Sequence, residues 1–69
     1  MAIRLRHERL KRGWTQTELA ARAKLHAQQV SGIETGMLRP YPAQLARLAR
    51  VLNVPKEEAH SLLDEVGGE

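Results

Sequence analysis

The sequence predicts an all-α fold, a compact bundle of five short helices. Residue types that favour helix make up most of the chain, and clusters of β-branched residues are missing. Apolar residues recur at helical spacing, and the clearest stripe consists of Leu45, Leu48, Ala49 and Leu52. This i, i+3, i+4, i+7 pattern puts all its members on one face of a helix, where they can only meet a core.

Residues that begin and end helices divide the chain at short intervals. The five helices are predicted at about residues 3–12, 16–23, 27–35, 43–52 and from 55 onward. Gly13 and Gly36 stand where a residue with positive φ closes a helix. In TQTE, Thr15 can cap the backbone N–H of Glu18 while Glu18 reaches back, which is a capping box. Pro55 is suited to the first turn of the fifth helix.

Length and composition predict one domain over residues 1–69, with a core at about 3–66. The chain has 69 residues and no cysteine, so no disulfide supplements a small core, and the composition fits a reducing compartment. No apolar run approaches 18 residues, so we expect neither a membrane span nor secretion. The expected location is the cytoplasm.

Charge is unevenly distributed along the chain. Residues 1–39 contain eight lysines and arginines and three acidic residues, whereas residues 40–69 contain three basic and five acidic ones. A basic half favours a polyanionic partner, with nucleic acid first and an anionic membrane surface second. Apolar stripes that can satisfy one another in a globule argue against the membrane.

The connection between the second and third helices is the most informative local feature. About three residues separate the two helices, which is too few for antiparallel packing, so the helices must cross steeply. Ala20 is small enough to allow the close approach. This arrangement predicts a helix-turn-helix unit at helices 2 and 3.

The segment QTELAARAKLHAQQVSGIETG resembles the lambda-repressor-like family, the Cro/CI or XRE-type helix-turn-helix domains. The family pattern is filled by Gln16, Leu19, Ala20, Val30, Ile33, Glu34, Gly36 and Pro40. The likeness continues through LARLARVLNV. It implies a sequence-specific regulator of transcription that binds double-stranded DNA, expected to be a repressor, with the third helix in the major groove. It also implies a structural ion pair between Arg9 and Glu34.

Two positions depart from the family pattern. Lys24 stands in the turn where glycine is usual. Either it takes a positive φ, at a cost on the order of 1 kcal/mol, or the turn differs slightly from that of the family. His26 stands at the N-cap of the third helix, where serine or threonine is common. Histidine is a poor cap, so we expect this helix to begin loosely.

The third helix carries the predicted base contacts. At about 100° per residue, Val30 and Ile33 mark the buried side, Gln28 points outward and Gln29 lies on the flank. A glutamine amide donates and accepts at once, which matches N6 and N7 of adenine. With the resemblance, the predicted base contacts are Ala27, Gln28, Gln29, Ser31 and Gly32. Gly32 either admits a close backbone approach or reduces the number of base contacts.

Phosphate contacts are expected on both sides of the third helix. Gln16 and the free N–H groups at the start of the second helix resemble the phosphate clamp of the family. The predicted phosphate contacts are Thr15, Gln16, Thr35, Arg39 and Tyr41. Trp14 and Tyr41 are the only aromatic residues, which argues against single-strand stacking, and Trp14 is expected in the core.

We expect a homodimer on a palindromic site, because half-sites about 34 Å apart require two-fold symmetry. The predicted dimer surface involves Leu38, Leu62, Leu63 or Val66. The alternative function is an antitoxin-like subunit that binds a protein partner and also its own operator.

The sequence does not favour an enzyme, a cofactor or a metal. It has no cysteine and no glycine-rich phosphate loop, and Ser61, His60 and Asp64 fall within one or two helical turns, where they cannot form a relay. The three histidines, His7, His26 and His60, lack ligand spacing.

Overall fold

A computed structural model describes residues 2–66. These residues form four α-helices, a 3₁₀ helix (η1) and two short strands. Their bounds are β1 Ala2–Ile3, α1 Arg4–Lys11, α2 Gln16–Ala23, α3 Ala27–Thr35, α4 Pro42–Val51, η1 Lys56–Leu63 and β2 Glu65–Val66. The all-α fold of five helices is therefore confirmed, and α2 and α3 form the predicted helix-turn-helix unit.

Left-handed residues close the α-helices. The positive-φ residues among those described are Gly13, Lys24, Gly36 and Asn53. Lys24 takes φ 57° in the α2–α3 turn, which is the first of the two possibilities that the sequence leaves open, and the N–H of Leu25 then donates to the carbonyl of Ala20 at 2.8 Å. Lysine pays a steric cost on the order of 1 kcal/mol that glycine would avoid at this position.

The core lies among α2, α3, α4 and η1, and α1 contributes Leu5 to it. The entire predicted stripe of α4 is buried, and it packs against Leu19 and Val30, which are both 0% exposed. Trp14 is half-buried against this core. Its ring also lies 4.3 Å from the guanidinium carbon of Arg22, within the range of a cation–π contact.

The end of the chain differs from the predicted fifth α-helix. Residues 56–63 are a 3₁₀ helix, and Val66 lies in β2, paired antiparallel with Ala2. The N–H of Arg4 donates to the carbonyl of Asp64 at 2.7 Å, so this pairing connects the start of α1 to the end of η1. Local sequence patterns do not reveal a pairing between segments more than 60 residues apart.

Candidate nucleic-acid interface

A buried ion pair connects α3 to α1. Arg9 Nε donates to Glu34 Oε2 at 2.7 Å, and Arg9 Nη2 donates to Glu34 Oε1 at 3.1 Å. The two side chains are 8% and 2% exposed. Arg9 Nη1 also donates to the carbonyl of Trp14 at 2.8 Å. The bidentate geometry holds α3 in one orientation relative to the rest of the domain.

Glu34 also orients Gln16 at the start of α2. Gln16 Nε2 donates to Glu34 Oε1 at 3.0 Å. Beside it, Thr15 Oγ1 accepts from the N–H of Glu18 at 3.0 Å, and Glu18 Oε1 accepts from the N–H of Thr15 at 2.8 Å. The capping box is confirmed. It leaves the hydroxyl hydrogen of Thr15 and the second amide hydrogen of Gln16 for an incoming acceptor.

The two glutamines at the start of α3 have different surroundings. Gln28 is exposed and Gln29 is half-buried, in agreement with the helical angles. The side-chain oxygen of Gln29 accepts from the N–H of His26 at 2.9 Å, whereas the imidazole of His26 makes no capping hydrogen bond. Ala27, which lies between His26 and Gln28 in the sequence, is half-buried against the core.

Gln29 therefore performs half of a capping box, a role that sequence reasoning missed. The expectation of a loose helix start considered only the side chain of His26. The available signal was the spacing of His26 and Gln29, since a glutamine at the third helical position can accept from the N-cap N–H. The cap uses the oxygen of Gln29 and leaves its amide hydrogens as donors.

Toward the end of α3, Gly32 is covered by Leu38. A Cβ atom added to Gly32 would lie 2.6 Å from Leu38 Cδ1, closer than atoms can approach. The N–H groups of Met37 and Leu38 both donate to the Gly32 carbonyl, at 2.8 and 3.0 Å. Gly32 thus has a packing reason to be glycine that neither alternative from the sequence considered.

The other predicted residues of α3 have less specific surroundings. Ser31 is half-buried. Thr35 is exposed, and its hydroxyl donates to the carbonyl of Ser31 at 3.1 Å. This hydrogen bond leaves the oxygen lone pairs of Thr35, but a phosphate needs a donor, so Thr35 would have to break its intrahelical bond to contact one.

One cleft brings predicted base-contact and phosphate-contact residues together. It is lined by Gln29, Ile33, Leu38, Arg39, Pro40, Tyr41 and Gln44. Tyr41 is 72% exposed. The oxygen of Gln44 accepts from the N–H of Tyr41 at 2.9 Å, which repeats at α4 the half-cap that Gln29 makes at α3. The cleft lies between the start of α3, the α3–α4 loop and the start of α4.

Most basic residues in and next to α1 lie beside a carboxylate of the domain, and Arg6 is exposed. Arg4, Lys11 and Arg12 all lie within 4 Å of Glu8. The hydrogen bond from Arg12, helped by Arg4 and Lys11 and opposed by burial, lowers the pKa of Glu8 from 4.5 to about 2. By contrast, no carboxylate among residues 2–66 lies within 4 Å of the guanidinium of Arg39.

Residues 2–66 contain no cluster of three or more histidine, cysteine or acidic side chains arranged to hold a metal ion. Within the same residues, no helix has the length and apolar character needed to cross a bilayer.

A comparison of the sequence with models of protein families agrees with the helix-turn-helix unit that α2 and α3 form. The model of the helix-turn-helix domain family matches residues 1–62. The chain therefore belongs to the helix-turn-helix domain family, a class of DNA-binding domains that is typically not enzymatic. This membership is consistent with the XRE/Cro-like resemblance. Neither the curated proteins nor the solved structures include a significant match.

Proposed function

We propose that the chain is a sequence-specific DNA-binding regulator of transcription, a repressor that inserts α3 into the major groove of double-stranded DNA. The observation that carries the proposal is the exposed amide of Gln28 on a helix whose opposite side is fixed by the buried Arg9–Glu34 pair. A reading helix must be held rigidly to distinguish base pairs, and this pair, together with Val30 and Ile33, supplies that rigidity.

The two glutamines would read bases differently. Gln28 presents both an acceptor and donors, which suits N6 and N7 of adenine. The oxygen of Gln29 already accepts from the N–H of His26, so the two amide hydrogens are the groups that it offers most readily, and they suit acceptors such as O6 and N7 of guanine. The half-cap thus converts two identical side chains into two different readers. Ala27, Ser31 and Gly32 would contact the bases through van der Waals or water-mediated interactions.

Gln29→Glu tests this difference, because glutamate keeps the acceptor for the N–H of His26 but removes the donors. We expect unchanged or higher thermal stability together with lost preference at one base pair. Gln29→Ala, the matched variant, should lose both the cap and the preference. If Gln29→Glu retains the full preference, donor-only readout is wrong.

Phosphate contacts would position the reading helix between two backbones. Gln16, oriented by Glu34, and Thr15 lie at the start of α2, where free N–H groups and the helix dipole favour an anion. Arg39 and Tyr41 lie across the cleft from Gln29, past the other end of α3. Thr35 is the weakest of the proposed phosphate contacts because its hydroxyl is already engaged.

The experiment that tests the function is selection of bound duplexes from a random pool, followed by titration of the selected duplex in increasing salt. We expect one enriched sequence and a steep, linear fall of log affinity with log salt. Enrichment of no sequence, or binding that is insensitive to salt, would contradict the proposal.

We further propose that the protein binds as a homodimer on a palindromic site. Met37 is 81% exposed and Leu38 50% exposed, and both line one surface cleft with half-buried Leu63 and Ile3. Leu62, named from the sequence as a dimer residue, is 0% exposed, so that assignment is wrong: its side chain belongs to the core. Val66 is half-buried in β2.

Sedimentation of Met37→Glu tests the dimer. We expect the wild-type complex to contain two chains per duplex and the variant to contain one, since a carboxylate in an apolar interface is costly to desolvate. Ala46→Glu, which adds the same charge at an exposed position of α4, is the control. A wild-type complex with one chain per duplex would exclude the dimer and leave the Met37 surface for a different protein, as in the antitoxin-like alternative.

A further inference from the structure

Four basic side chains line a second cleft, apart from the one that contains Gln29. It is lined by Arg22, Lys24, Arg47, Arg50 and Val51. The first two come from the end of α2 and the turn, and the other three from the second half of α4. Four like charges in one cleft repel one another, so the arrangement weakens the domain unless an anion is bound there.

Two of these cations are held in place without being neutralised. Arg47 Nε donates to the carbonyl of Ala23 at 2.9 Å, which leaves its terminal nitrogens available. The guanidinium of Arg22 lies over the ring of Trp14. Within residues 2–66, none of the four cations has a carboxylate oxygen within 4 Å. A preorganised, uncompensated cluster loses little entropy when it binds an anion.

Helix dipoles explain only part of this cluster. Arg22 is in the last turn of α2, Lys24 is the C-cap of that helix, and Arg50 is in the last turn of α4, where cations are favourable. The last carbonyl of α2, at Ala23, also accounts for the position of Arg47. Helix ends do not explain why basic side chains of two different helices converge on one cleft that has no carboxylate partner within residues 2–66.

The position of the cluster relative to α3 indicates the partner. Lys24 lies three residues before α3 begins, whereas Met37 and Leu38 follow its other end. A helix of nine residues is about 13 Å long. In a dimer that meets through Met37 and Leu38, the basic cleft is therefore at the outer end of each reading helix, away from the two-fold axis. DNA continues past the site on that side.

We propose that this cleft binds backbone phosphates of the DNA that flanks each half-site, outside the base pairs read by α3. The proposal rests on the proposed function and on its dimer. The guanidinium groups of arginine and the ammonium group of lysine make charge-assisted hydrogen bonds to phosphate oxygens. The flanking contacts would add affinity without adding sequence preference, because phosphates carry no base information.

The test compares two lengths of the selected duplex, one ending at the edge of the enriched sequence and one extended by about six base pairs on each side. The variant is Lys24→Gln with Arg50→Gln, two exposed residues with no side-chain hydrogen bond in the described part of the chain. The matched control is Lys11→Gln with Lys56→Gln, which removes the same charge from α1 and η1. Thermal melting verifies that all three proteins are folded.

We expect wild type and control to bind the long duplex more tightly than the short one. In the variant, which keeps only Arg22 and Arg47 in the cleft, this difference should be much smaller. Loss of two phosphate contacts per chain lowers the slope of log affinity against log salt by about 2. On the long duplex, raising the salt from 50 to 200 mM should therefore reduce the affinity of the variant about tenfold less per chain than that of wild type. Sequence preference should be unchanged in the variant.

Other outcomes overturn the proposal in distinguishable ways. If a sequence is enriched but wild type shows no length effect, or the variant retains it, the flanking contact is wrong and the proposed function stands. If no sequence is enriched, both fail. If the cleft residues of wild type shift in NMR spectra with a polyglutamate peptide but not with the long duplex, the partner is an acidic protein.

Discussion

The basic residues of α1 and those of α2, α4 and the α3–α4 loop do different work. In α1, Arg4, Lys11 and Arg12 surround Glu8, and Arg9 is buried against Glu34. The bases of the other region have no carboxylate within 4 Å in residues 2–66 and line two surface clefts; they are Arg22, Lys24, Arg39, Arg47 and Arg50. The first group holds the fold together, and the second is available to a polyanion.

This difference corrects the argument from charge along the chain. Half of the eight bases in residues 1–39 are used internally, so the basic character of that half overstates what a partner would meet. Arg47 and Arg50, in the half with a negative balance, belong to the available group. The surface charge that supports nucleic-acid binding is set by pairing in three dimensions.

The largest expected effect comes from breaking the buried pair of α1. Arg9→Met leaves Glu34 charged, buried and without its main partner, which should cost about 3 to 5 kcal/mol of unfolding free energy. Urea denaturation measures it. Arg6→Met, an exposed change on the same helix, is the control and should alter stability by less than about 0.5 kcal/mol. Equal effects of the two substitutions would show that the pair has no structural role.

A smaller effect is expected from Glu8, with a distinct pH dependence. Its pKa is lower in the folded state than the ordinary 4.5, so its contribution is complete above pH 4.5 and disappears as the pH falls toward 2. Glu8→Gln should destabilise the protein by about 1.5 to 3 kcal/mol at neutral pH, as expected for hydrogen bonds to a charged group. Unfolding free energies measured between pH 6 and 2.5 should converge for the two proteins, and a constant difference would contradict this account.

The smallest effect is expected at an available base. Arg39→Gln should leave thermal stability unchanged and reduce the salt slope of DNA binding by about 1, the value for one phosphate contact. Lys11→Gln removes the same charge from α1, where the lysine is 3.5 Å from Glu8, and should leave the slope unchanged. A slope that falls equally in both variants would mean that net charge alone matters, and would remove the distinction between the two regions.

The sequence predicted much of the fold because its signals are local. The capping box at Thr15, the left-handed closures at Gly13 and Gly36 and the stripe of α4 each depend on residues within one or two turns. The 3₁₀ form of η1 and the β1–β2 pairing depend on contacts between the two ends of the chain. Periodicity over a short window contains no information about them.

The sequence predicted which side of α3 faces outward, but not the contacts that the side chains of the candidate site make. Helical angles separate Gln28 from Gln29 correctly, because exposure on a short helix follows its geometry. They do not reveal that Gln29 caps the helix, that Leu38 covers Gly32, or that Arg47 joins Arg22 across two helices. Each of these contacts depends on the position in space of the end of a side chain. The sequence pattern describes only the direction in which the side chain leaves the backbone.

The most direct measurement of the central claim is a double-mutant cycle between Gln28 and the base pairs of the selected duplex. Wild type and Gln28→Ala would each be titrated with the selected duplex and with duplexes changed at one base pair at a time, at fixed salt. We predict a coupling of about 1 to 3 kcal/mol at one base pair and none at the others. If Gln28→Ala weakens binding to every duplex by the same factor, Gln28 does not read sequence, and the proposed role of α3 is wrong.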